Sequence, residues 1–408
     1  MSDQAKTLEL IRQRPPRHAL SSALYHDQDV YRQDLEQIWH SHWIFAGHSF
    51  EIPKAGDYLT LQIGEYPVVI VRGDKGEINA FHNACRHRGS RLCSAAKGKS
   101  AKLVCPYHKW TFGLDGKLLF AGNMGPDFSN ADHNLLPVHC EVVNSFIYVC
   151  VAENAPDFEA FRADVTPFIE PHNLDDCKVA FESNIIEKGN WKLVFENNRE
   201  CYHCDANHPE LLNSFVENLS VAGVGGNDDP ELTAHWDSCE AAGFPSRLVM
   251  DPNGQYRMTR IPLASGAVSY TMNGKPAVNG RLDTPNAEGK HPEDIGALLY
   301  FNYPSTWNHF LGDHALSFRI LPLGHDQTLV TTKWLVHKDA QKGVDYDLDS
   351  LTKVWLATND QDRELVEETF RGTGSPSYTP GPFSEVAENG VCQFVDWYCD
   401  TMESRLSK

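Results

Sequence analysis

Two short motifs in the first third of the sequence each combine one cysteine with one histidine. Cys85-Arg-His87 is followed, after seventeen intervening residues, by Cys105-Pro-Tyr-His108. Together they offer two thiolates and two imidazoles, so the surrounding chain must fold in a way that brings four ligands to one centre. Two kinds of centre use this ligand set, a Rieske [2Fe–2S] cluster and a structural Cys2His2 zinc site.

The distribution of the ligands between the two motifs favours the iron–sulfur cluster. Zinc sites tend to repeat C-x-x-C and H-x-x-x-H pairs, whereas here each motif contributes one cysteine and one histidine. A Rieske cluster needs such a set because two thiolates hold one iron and two imidazoles hold the other. We therefore predict that Cys85, His87, Cys105 and His108 bind a [2Fe–2S] cluster.

A second group of candidate ligands lies between Asn190, a predicted helix N-cap, and Pro209, which disfavours helix at the residue before it. At about 100° per residue, Glu200 and His203 share one helical face, which could also be a simple solvated surface. His203 and His208 are five residues apart, so we predict a backbone turn that lets both imidazoles meet one ion. A ferrous ion held by two histidines and one carboxylate keeps positions for O2 and substrate.

The third ligand is predicted from residues 348–370, where apolar residues follow a helical period. These residues are Leu351, Val354, Trp355, Thr358, Leu365 and Val366. Asp362 falls at the centre of this apolar stripe, and Asp360 points to the opposite side. A buried carboxylate needs a partner, which could be a metal, a buried arginine or backbone donors. The two histidines favour a mononuclear iron held by His203, His208 and Asp362, with Asp360 as the alternative third ligand.

The composition limits the classes of function. The 408 residues suffice for two or three domains, and 36 Lys plus Arg against 55 Asp plus Glu give a net charge of −19, which disfavours nucleic acid and anionic membranes as partners. The polar N-terminus and the lack of a long apolar run predict a cytoplasmic protein without membrane contact. Eleven cysteines without framework spacing predict reduced thiols, and for Cys201-x-x-Cys204 a packing role.

The hydrophobic pattern predicts three segments. Residues 1–42 are expected to form a helical segment that packs on the catalytic domain, residues 43–155 a small all-β domain, and residues 156–408 a catalytic domain. Strand-like runs at 298–301, 316–321 and 328–336, together with the metal-bearing helices, predict an α+β fold in which helices pack on an antiparallel sheet. The stretch 222–290, rich in Gly, Asn, Asp and Pro, is expected to form long loops.

Both metal motifs resemble those of Rieske non-haem iron oxygenase α subunits, and the resemblance covers nearly the whole chain. The similar segments are Cys85-Arg-His87-Arg-Gly-Ser, Cys105-Pro-Tyr-His108-Lys-Trp-Thr and Gln361-Asp362-Arg-Glu-Leu-Val-Glu367. The resemblance implies a Rieske domain joined to a helix-grip catalytic domain and a homotrimeric ring. It also implies that electrons pass from the cluster of one subunit to the iron of its neighbour through a carboxylate, which is an aspartate in most members and Glu200 here.

The glutamate at this position resembles the branch of the family that acts on quaternary ammonium compounds. Glu196-Asn-Asn-Arg-Glu200-Cys-Tyr-His203-Cys and Thr332-Lys-Trp-Leu-Val-His-Lys-Asp339 are similar to glycine betaine monooxygenases and proline betaine demethylases. This similarity implies a monooxygenase that uses O2 to convert glycine betaine to dimethylglycine and formaldehyde. Proline betaine, carnitine or choline as substrate, aromatic-ring dioxygenation, and a Rieske electron-transfer protein without mononuclear iron are the alternatives.

Two further expectations concern the electron source and the substrate. Gly223-Val-Gly225-Gly226 lacks the strand–glycine–helix context of a dinucleotide site, so electrons from NAD(P)H are expected to arrive through a separate flavin and iron–sulfur reductase. A permanent cation is best held against aromatic faces, although most aromatic residues serve the core. The main candidates are Trp307, Tyr300, Phe310 and Trp236, followed by Phe301, Tyr303 and Tyr270.

Overall fold

The structure, a computed structural model, describes residues 2–216, 230–282 and 294–408 and divides the chain into two compact units. One unit is Trp39–Phe158, and the other combines Met1–Ile38 with Glu159–Lys408. The domain boundaries predicted at residues 43 and 155 lie within four residues of these limits. Among the described helices, none combines the length and the apolar character that a membrane span requires.

The unit Trp39–Phe158 is built from short antiparallel strands, as predicted. They are β1 (Ile44–His48), β2 (Asp57–Ile63), β3 (Tyr66–Arg72), β4 (Ile78–His82), β5 (Lys97–Lys99), β6 (Leu103–Val104), β7 (Thr111–Phe112), β8 (Leu118–Phe120), β9 (His139–Val143) and β10 (Phe146–Cys150). They form sheets with the strand orders β1-β10-β9, β4-β3-β2-β5 and β6-β7-β8. The all-β character follows from short runs of Val, Ile, Leu and aromatic residues separated by tight turns.

The larger unit combines helices with one large antiparallel sheet. Its helices are α1 (Asp3–Arg12), α2 (Ser22–His26), α3 (Gln28–Asp34), α4 (Glu159–Ile169), α5 (Trp191–Asn198), α6 (Cys204–Asn207), α7 (Pro230–Ala241), α8 (Leu348–Thr373) and α9 (Asn389–Leu406). Its strands are β11 (Cys177–Glu187), β12 (Val249–Met250), β13 (Tyr256–Ile261), β14 (Ala297–Asn302), β15 (Thr306–Phe310), β16 (Ala315–Gly324) and β17 (Gln327–His337). The sheet order is β11-β17-β16-β15-β14-β13-β12. The α+β prediction is confirmed.

Helices α5 and α8 pack against one face of this sheet through aromatic side chains. Phe195 of α5 lies edge-on to Trp307 of β15 with a centroid distance of 5.5 Å, and Phe318 of β16 lies edge-on to Trp355 of α8 at 5.1 Å. Helix α8 begins at its N-cap Asp347, whose side chain accepts a hydrogen bond from the Ser350 amide. The cap defines where α8 begins, and the packing of α8 on the sheet then sets the position of Asp362.

The stretch 222–290 differs from the prediction of long loops. Helix α7 and strands β12 and β13 lie within it. Glycine, asparagine and proline cluster between these elements, which is why the composition of the whole stretch indicated loops. Residues 217–229 and 283–293, and with them Gly223-Val-Gly225-Gly226, lie outside the described residues.

A buried charged network ties the N-terminal helices to α5 and α9. Lys192 donates to the Asp34 carboxylate, and both side chains are fully buried. Trp191 Nε1 donates to Asp34 Oδ2 at 3.1 Å, and the Tyr398 hydroxyl donates to Oδ1 at 2.9 Å. Because three donors surround the carboxylate, its charge is compensated without water, and α5 is fixed at its N-terminal end.

We expect Asp34→Ala to lower the free energy of unfolding by about 3–5 kcal/mol, because it leaves the Lys192 ammonium buried without its carboxylate. Urea unfolding followed by tryptophan fluorescence measures the change. Asp29→Ala is the matched control on α3, since Asp29 is half exposed and its ion pair among the described residues is with the exposed Arg32. It should change the free energy of unfolding by less than about 0.5 kcal/mol. Equal effects of the two substitutions would contradict the assigned role of Asp34.

Candidate metal centres and cavity

The two cysteine–histidine motifs lie on two loops with the same backbone conformation. Cys85 is in the β4–β5 loop and Cys105 in the β6–β7 loop. The amide of the residue four positions later, Gly89 or Lys109, donates to the carbonyl of each cysteine at 2.9 and 3.1 Å. Both of these residues have a positive φ, 75° for Gly89 and 59° for Lys109. Each loop therefore makes one tight turn that presents its cysteine and histidine together.

The thiols of this site are buried and its imidazoles are exposed. Cys85 and Cys105 are 4% and 1% exposed, whereas His87 and His108 lie at the surface. The backbone amides two and three residues after each cysteine donate hydrogen bonds to its sulfur. Burial raises the pKa of Cys105, but these amides and the neighbouring Cys85 thiol outweigh it and hold the pKa below its ordinary value. Such amides stabilise thiolates, which are the form that binds iron.

Aromatic side chains fix the orientation of both imidazoles. The His87 ring lies parallel to Trp110, with centroids 4.9 Å apart, and the His108 ring lies against Tyr107 at 3.9 Å. The two imidazole centroids are 4.7 Å apart. The donor set of two inner thiols and two outer imidazoles fits a Rieske [2Fe–2S] cluster with one cysteine-bound and one histidine-bound iron.

The second candidate centre begins where α5 ends, and here the structure corrects the helix prediction. Asn190 caps α5 as predicted, but the helix stops at Asn198. The Glu200 carboxylate accepts hydrogen bonds from the amides of Tyr202 and His203, so it stabilises a turn in place of another helical turn. Glu200 and His203 are therefore neighbours across a turn rather than on a helical face.

His203, His208 and Asp362 converge on one point. Helix α6 separates the two histidines, and their ring centroids are 4.9 Å apart at an interplanar angle of 80°. Asp362 Oδ1 lies 3.3 Å from His203 Nε2 and 3.0 Å from His208 Nε2. Asp360 lies on the exposed side of α8 beside Arg363. The structure thus brings Asp362, and not Asp360, to the two histidines.

The other ring nitrogen of each histidine is held by an acceptor. His203 Nδ1 lies 2.5 Å from Glu200 Oε1, and a carboxylate can only accept, so Nδ1 carries the proton. His208 Nδ1 lies 2.8 Å from Gln361 Oε1. Gln361 Nε2 in turn donates to Glu210 Oε2 at 2.9 Å, which fixes the orientation of the amide. Both Nε2 atoms therefore present lone pairs toward Asp362.

This arrangement fits a metal ion. Asp362 Oδ1 and the Nε2 atoms of His203 and His208 face one another, so this cluster needs a positive charge, either a proton on an imidazole or a metal ion between the three atoms. His208 Nε2 is buried and makes no hydrogen bond within the described residues. Burial lowers the pKa of His203, but hydrogen bonds to Asp362 and Glu200 outweigh it and raise the pKa to about 9. The carboxylates thus stabilise positive charge at this position, as they would stabilise Fe2+.

We expect Gln361→Leu to weaken mononuclear iron binding by about 10- to 100-fold, because His208 loses the acceptor that sets its tautomer and orientation. Iron titration against a competing chelator measures the affinity. Glu364→Gln is the matched control, since Glu364 is exposed on the same helix, and its iron affinity should equal that of the unmodified protein. An unchanged affinity in Gln361→Leu would contradict the orienting role.

Cys201 and Cys204 form a disulfide beside this site, which contradicts the prediction of reduced thiols for these two residues, whereas the other nine cysteines are free. The turn that precedes α6 brings their Cα atoms to 4.9 Å, within the range that a disulfide spans. The Cys204 sulfur also lies within 4.8 Å of the ligand atoms of His203 and His208. Since this sulfur is bonded to Cys201, it is no thiolate, and Asp362 is the better third ligand.

A cavity opens onto the three candidate iron ligands. Three residues of its described lining are aromatic: Phe215, Phe301 and Trp355. The lining also includes Arg199, Arg257, Leu211, Leu299, His309 and Thr358. Side chains alternate between the two faces of a strand, and the cavity side of β14 carries Leu299 and Phe301. Sequence reasoning named Phe301 as a candidate but missed Phe215, Trp355, Arg257 and His309.

The four main aromatic candidates lie elsewhere among the described residues. Tyr300 points to the other face of the sheet, where it lies 6.4 Å from Phe161. Phe310 lies 5.2 Å from His172, and the Trp236 indole donates to the Arg260 carbonyl. Trp307 shares the face of Phe301, but its ring stacks on Phe318 at 5.0 Å and serves the core.

Comparison with known proteins gives the family. Residues 174–404 match the family described as ring hydroxylating alpha subunit (catalytic domain), and residues 42–131 match the Rieske [2Fe-2S] domain. The chain belongs to the ring-hydroxylating α subunits. The predicted resemblance is confirmed, and as a member of this family the chain is a Rieske non-haem iron oxygenase that uses a [2Fe–2S] cluster and a mononuclear iron.

Relatives within the ring-hydroxylating α subunits cover almost the whole chain. It is 50% identical to the glycine betaine monooxygenase oxygenase subunit of Chromohalobacter salexigens, over 98% of this chain and 89% of that one. It is 44% identical to the subunit of the same name from Pseudomonas aeruginosa, over 98% and 93%. The solved structure of the quaternary ammonium Rieske monooxygenase CntA superposes with a TM-score of 0.73 at 21% identity, over 97% and 98%, which shows the shared fold.

Proposed function

We propose that this protein is the oxygenase component of a monooxygenase that N-demethylates glycine betaine to dimethylglycine and formaldehyde. The observation that carries the choice of substrate is the 50% identity, over 98% of the chain, to a glycine betaine monooxygenase oxygenase subunit. The cavity supports it, because carboxylates and aromatic rings attract a quaternary ammonium group that has no hydrogen-bond donor.

The residues of the chain have distinct tasks in this reaction. His203, His208 and Asp362 would hold Fe2+, and all three residues line the cavity in which the substrate is proposed to bind. A ferrous ion bound by this ligand set would supply the chemistry by which O2 and two electrons hydroxylate an N-methyl C–H bond, with the second oxygen atom leaving as water. The hydroxymethyl product then releases formaldehyde by cleavage of its C–N bond. Phe215 and Trp355 line the same cavity as the three candidate iron ligands.

Glu200 is proposed to pass electrons from the cluster of a neighbouring subunit to the iron. Its carboxylate contacts His203 Nδ1 directly. It also borders a second cavity, which is lined by His203, Glu196 and Glu388 as well. This role requires the proposed homotrimer. It also requires a flavin and iron–sulfur reductase that oxidises NAD(P)H, and we therefore place the protein in the cytoplasm, where this donor is available.

Formaldehyde release by iron-loaded protein with a reductase, NADH and O2 tests the function. The substrates are glycine betaine, proline betaine, carnitine, choline and benzoate. We expect formaldehyde with glycine betaine, coupled one-to-one to NADH consumption, and much slower release with the other ammonium compounds. The matched control is Asp362→Ala, which removes a candidate iron ligand. Addition of substrate should not increase the rate at which this variant consumes NADH.

Two results would overturn the proposal. Preferred turnover of proline betaine or carnitine would keep the N-demethylase class and replace the substrate. No formaldehyde from any ammonium compound, with an intact cluster spectrum and bound mononuclear iron, would favour an aromatic substrate.

The proposed trimer has its own test. The molar mass of a monomer in size-exclusion chromatography with light scattering would contradict it.

A further inference from the structure

The disulfide between Cys201 and Cys204 encloses the candidate iron ligand His203 in the sequence. The two cysteines are three positions apart, and both line the cavity that contains the candidate iron ligands. The other nine cysteines of the chain are free. Disulfides of cytoplasmic proteins are usually transient and either catalytic or redox-sensing. Because the protein is proposed to be cytoplasmic, this pair is a candidate for reversible exchange.

Hydrogen bonds already hold the turn that the disulfide closes. The Cys204 amide donates to the Cys201 carbonyl at 3.2 Å, and the Glu200 carboxylate accepts from the amides of Tyr202 and His203. The stabilisation that a disulfide gives grows with the length of the loop that it closes, and here the two cysteines are only three positions apart. The disulfide therefore adds little to the stability of the fold, and a purely structural role does not explain it.

The two cysteines of the pair differ in their access to solvent. Cys204 is 3% exposed, whereas Cys201 is half-buried. Thiol–disulfide exchange begins when an external thiolate attacks one of the two sulfur atoms, and access decides which one is attacked. A small thiol therefore attacks the Cys201 sulfur, and the Cys204 sulfur leaves. The sulfur that is released is the one nearer to the candidate iron ligands in the sequence of α6.

A released Cys204 has the position of a fourth metal ligand. The His208 amide donates to the Cys204 carbonyl at 2.8 Å, so the two side chains are one helical turn apart and share a face. The Cys204 sulfur lies within 4.8 Å of a ring nitrogen of His203 and of His208. Sulfur and nitrogen ligands of one ion are at most about 4.4 Å apart, since the two bonds are about 2.3 and 2.1 Å long. A small movement is enough, and opening the disulfide permits it.

We propose that Cys201 and Cys204 form a redox-active pair that switches the candidate iron site between three and four protein ligands. Two molecules of a small thiol such as glutathione supply two electrons and two protons. The protein disulfide becomes two thiols, and the two small thiols become one disulfide. Cys204 then binds the metal together with His203, His208 and Asp362, and its proton passes to solvent. The fourth ligand takes a position that O2 and substrate need, so the reduced pair holds the metal in a closed form.

The first experiment measures the redox state of the pair in the unmodified protein. The protein is equilibrated without O2 in mixtures of reduced and oxidised glutathione and labelled with iodoacetamide, and the label on each cysteine is measured by peptide mass spectrometry. We expect Cys201 and Cys204 to gain the label together as reduced glutathione increases, and to lose it again in oxidised glutathione. A pair that stays closed, or stays open, in every mixture would overturn the proposal.

The second experiment detects the bond between sulfur and metal with Co2+ as the probe. Protein freed of mononuclear iron is reduced with dithiothreitol, the reagent is removed by gel filtration, and Co2+ is added without O2. A thiolate ligand gives Co2+ a strong charge-transfer band in the near ultraviolet, which is read as the difference from the same protein without Co2+. We expect the band in the reduced protein and no band in the oxidised protein. Full Co2+ occupancy of the reduced protein without the band would exclude Cys204 as a ligand.

Two variants separate the fourth ligand from a structural effect of the disulfide. Cys201→Ser has no disulfide but keeps the Cys204 thiol, so it should show the Co2+ band without reductant. It should also bind Zn2+ at least about 10-fold more tightly than the oxidised unmodified protein, because even residues that only orient a ligand change metal affinity by this much. Cys204→Ser lacks both the disulfide and the thiol, so it should show no band and bind Zn2+ within about threefold of the oxidised protein.

Cys140→Ser is the matched control for these variants. Cys140 is free and half-buried, and it lies in the unit Trp39–Phe158. This variant should show the Co2+ band only after reduction, as the unmodified protein does. Equal Zn2+ affinities in Cys201→Ser and Cys204→Ser would show that the Cys204 thiol is no ligand, and the proposed switch would then be wrong.

The switch and the proposed function can fail separately. Labelling, Co2+ spectra and Zn2+ affinity need no substrate, so they test the switch even if the reaction is misassigned. A redox-dependent Co2+ band without formaldehyde from any ammonium compound would leave the switch standing and overturn the proposed reaction. Formaldehyde release at equal rates by iron-loaded Cys201→Ser and Cys204→Ser would overturn the switch and leave the reaction standing.

Discussion

Asp362→Ala is expected to abolish mononuclear iron binding and to reduce formaldehyde formation by more than about 100-fold. Changes to residues that only orient a metal ligand cost up to about 100-fold, so loss of a ligand should exceed that range. Asp362 Oδ1 lies within 3.3 Å of both histidine Nε2 atoms and carries the negative charge of the ligand set. The cluster lies in the unit Trp39–Phe158, so its visible spectrum should not change.

Asp360→Ala is the matched control for this prediction. Asp360 lies on the same helix and pairs with the partly exposed Arg363 on the solvent side. Its iron content, cluster spectrum and turnover should equal those of the unmodified protein. Iron and acid-labile sulfide analysis on each variant measures both centres independently. Full iron content in Asp362→Ala, or a loss of iron in Asp360→Ala, would show that the third ligand is misassigned.

Glu200→Gln is expected to stop coupled turnover while both metal centres remain bound. The glutamine carbonyl can still accept the His203 Nδ1–H hydrogen bond, so the orientation of the ligand is kept. The substitution removes the negative charge of the carboxylate that is proposed to lie on the electron path. If Glu200 only oriented His203, the loss of activity would stay within about 10- to 100-fold and iron affinity would fall with it. A larger loss with full iron content supports the bridge.

Reoxidation of the reduced cluster separates the two roles of Glu200 directly. With glycine betaine and O2 present, the unmodified protein should reoxidise its cluster in a single turnover, seen in the visible absorbance. Glu200→Gln should slow this step, whereas Glu200→Asp, which keeps a carboxylate, should retain part of the rate. Reoxidation of Glu200→Gln at the unmodified rate would remove Glu200 from the electron path.

The local motifs could be predicted from the sequence because their chemistry is local. Cys85 to His108 span one pair of loops, and ligand type and spacing together indicate a Rieske cluster. The fold class and the family followed from strand patterns and from the motifs, and both are confirmed. The helical face proposed for Glu200 and His203 was wrong, because the Glu200 carboxylate binds backbone amides and ends the helix.

The cavity lining was hard to predict because it depends on strand register. Tyr300 and Phe301 are adjacent in sequence, so they point to opposite faces of the sheet and only one of them can face the cavity. The sequence does not say which. Arg257 and His309 reach the cavity from different strands, and only the antiparallel pairing of β13, β14 and β15 brings them to one face. The disulfide likewise depends on the turn before α6, which spacing alone does not reveal.

The positions of the ligands along the chain determine the order in which the two centres can be assembled during synthesis. All four cluster ligands leave the ribosome within 24 residues of one another, from Cys85 to His108. Asp362 follows His203 by 159 residues, and strands β12 to β17 of the sheet lie between them in the chain. Closing so long a segment is slow and depends on the surrounding core. A nascent chain can therefore present a complete cluster site long before it can retain iron, so insertion of the cluster can be cotranslational, whereas iron loading must await folding of the larger unit.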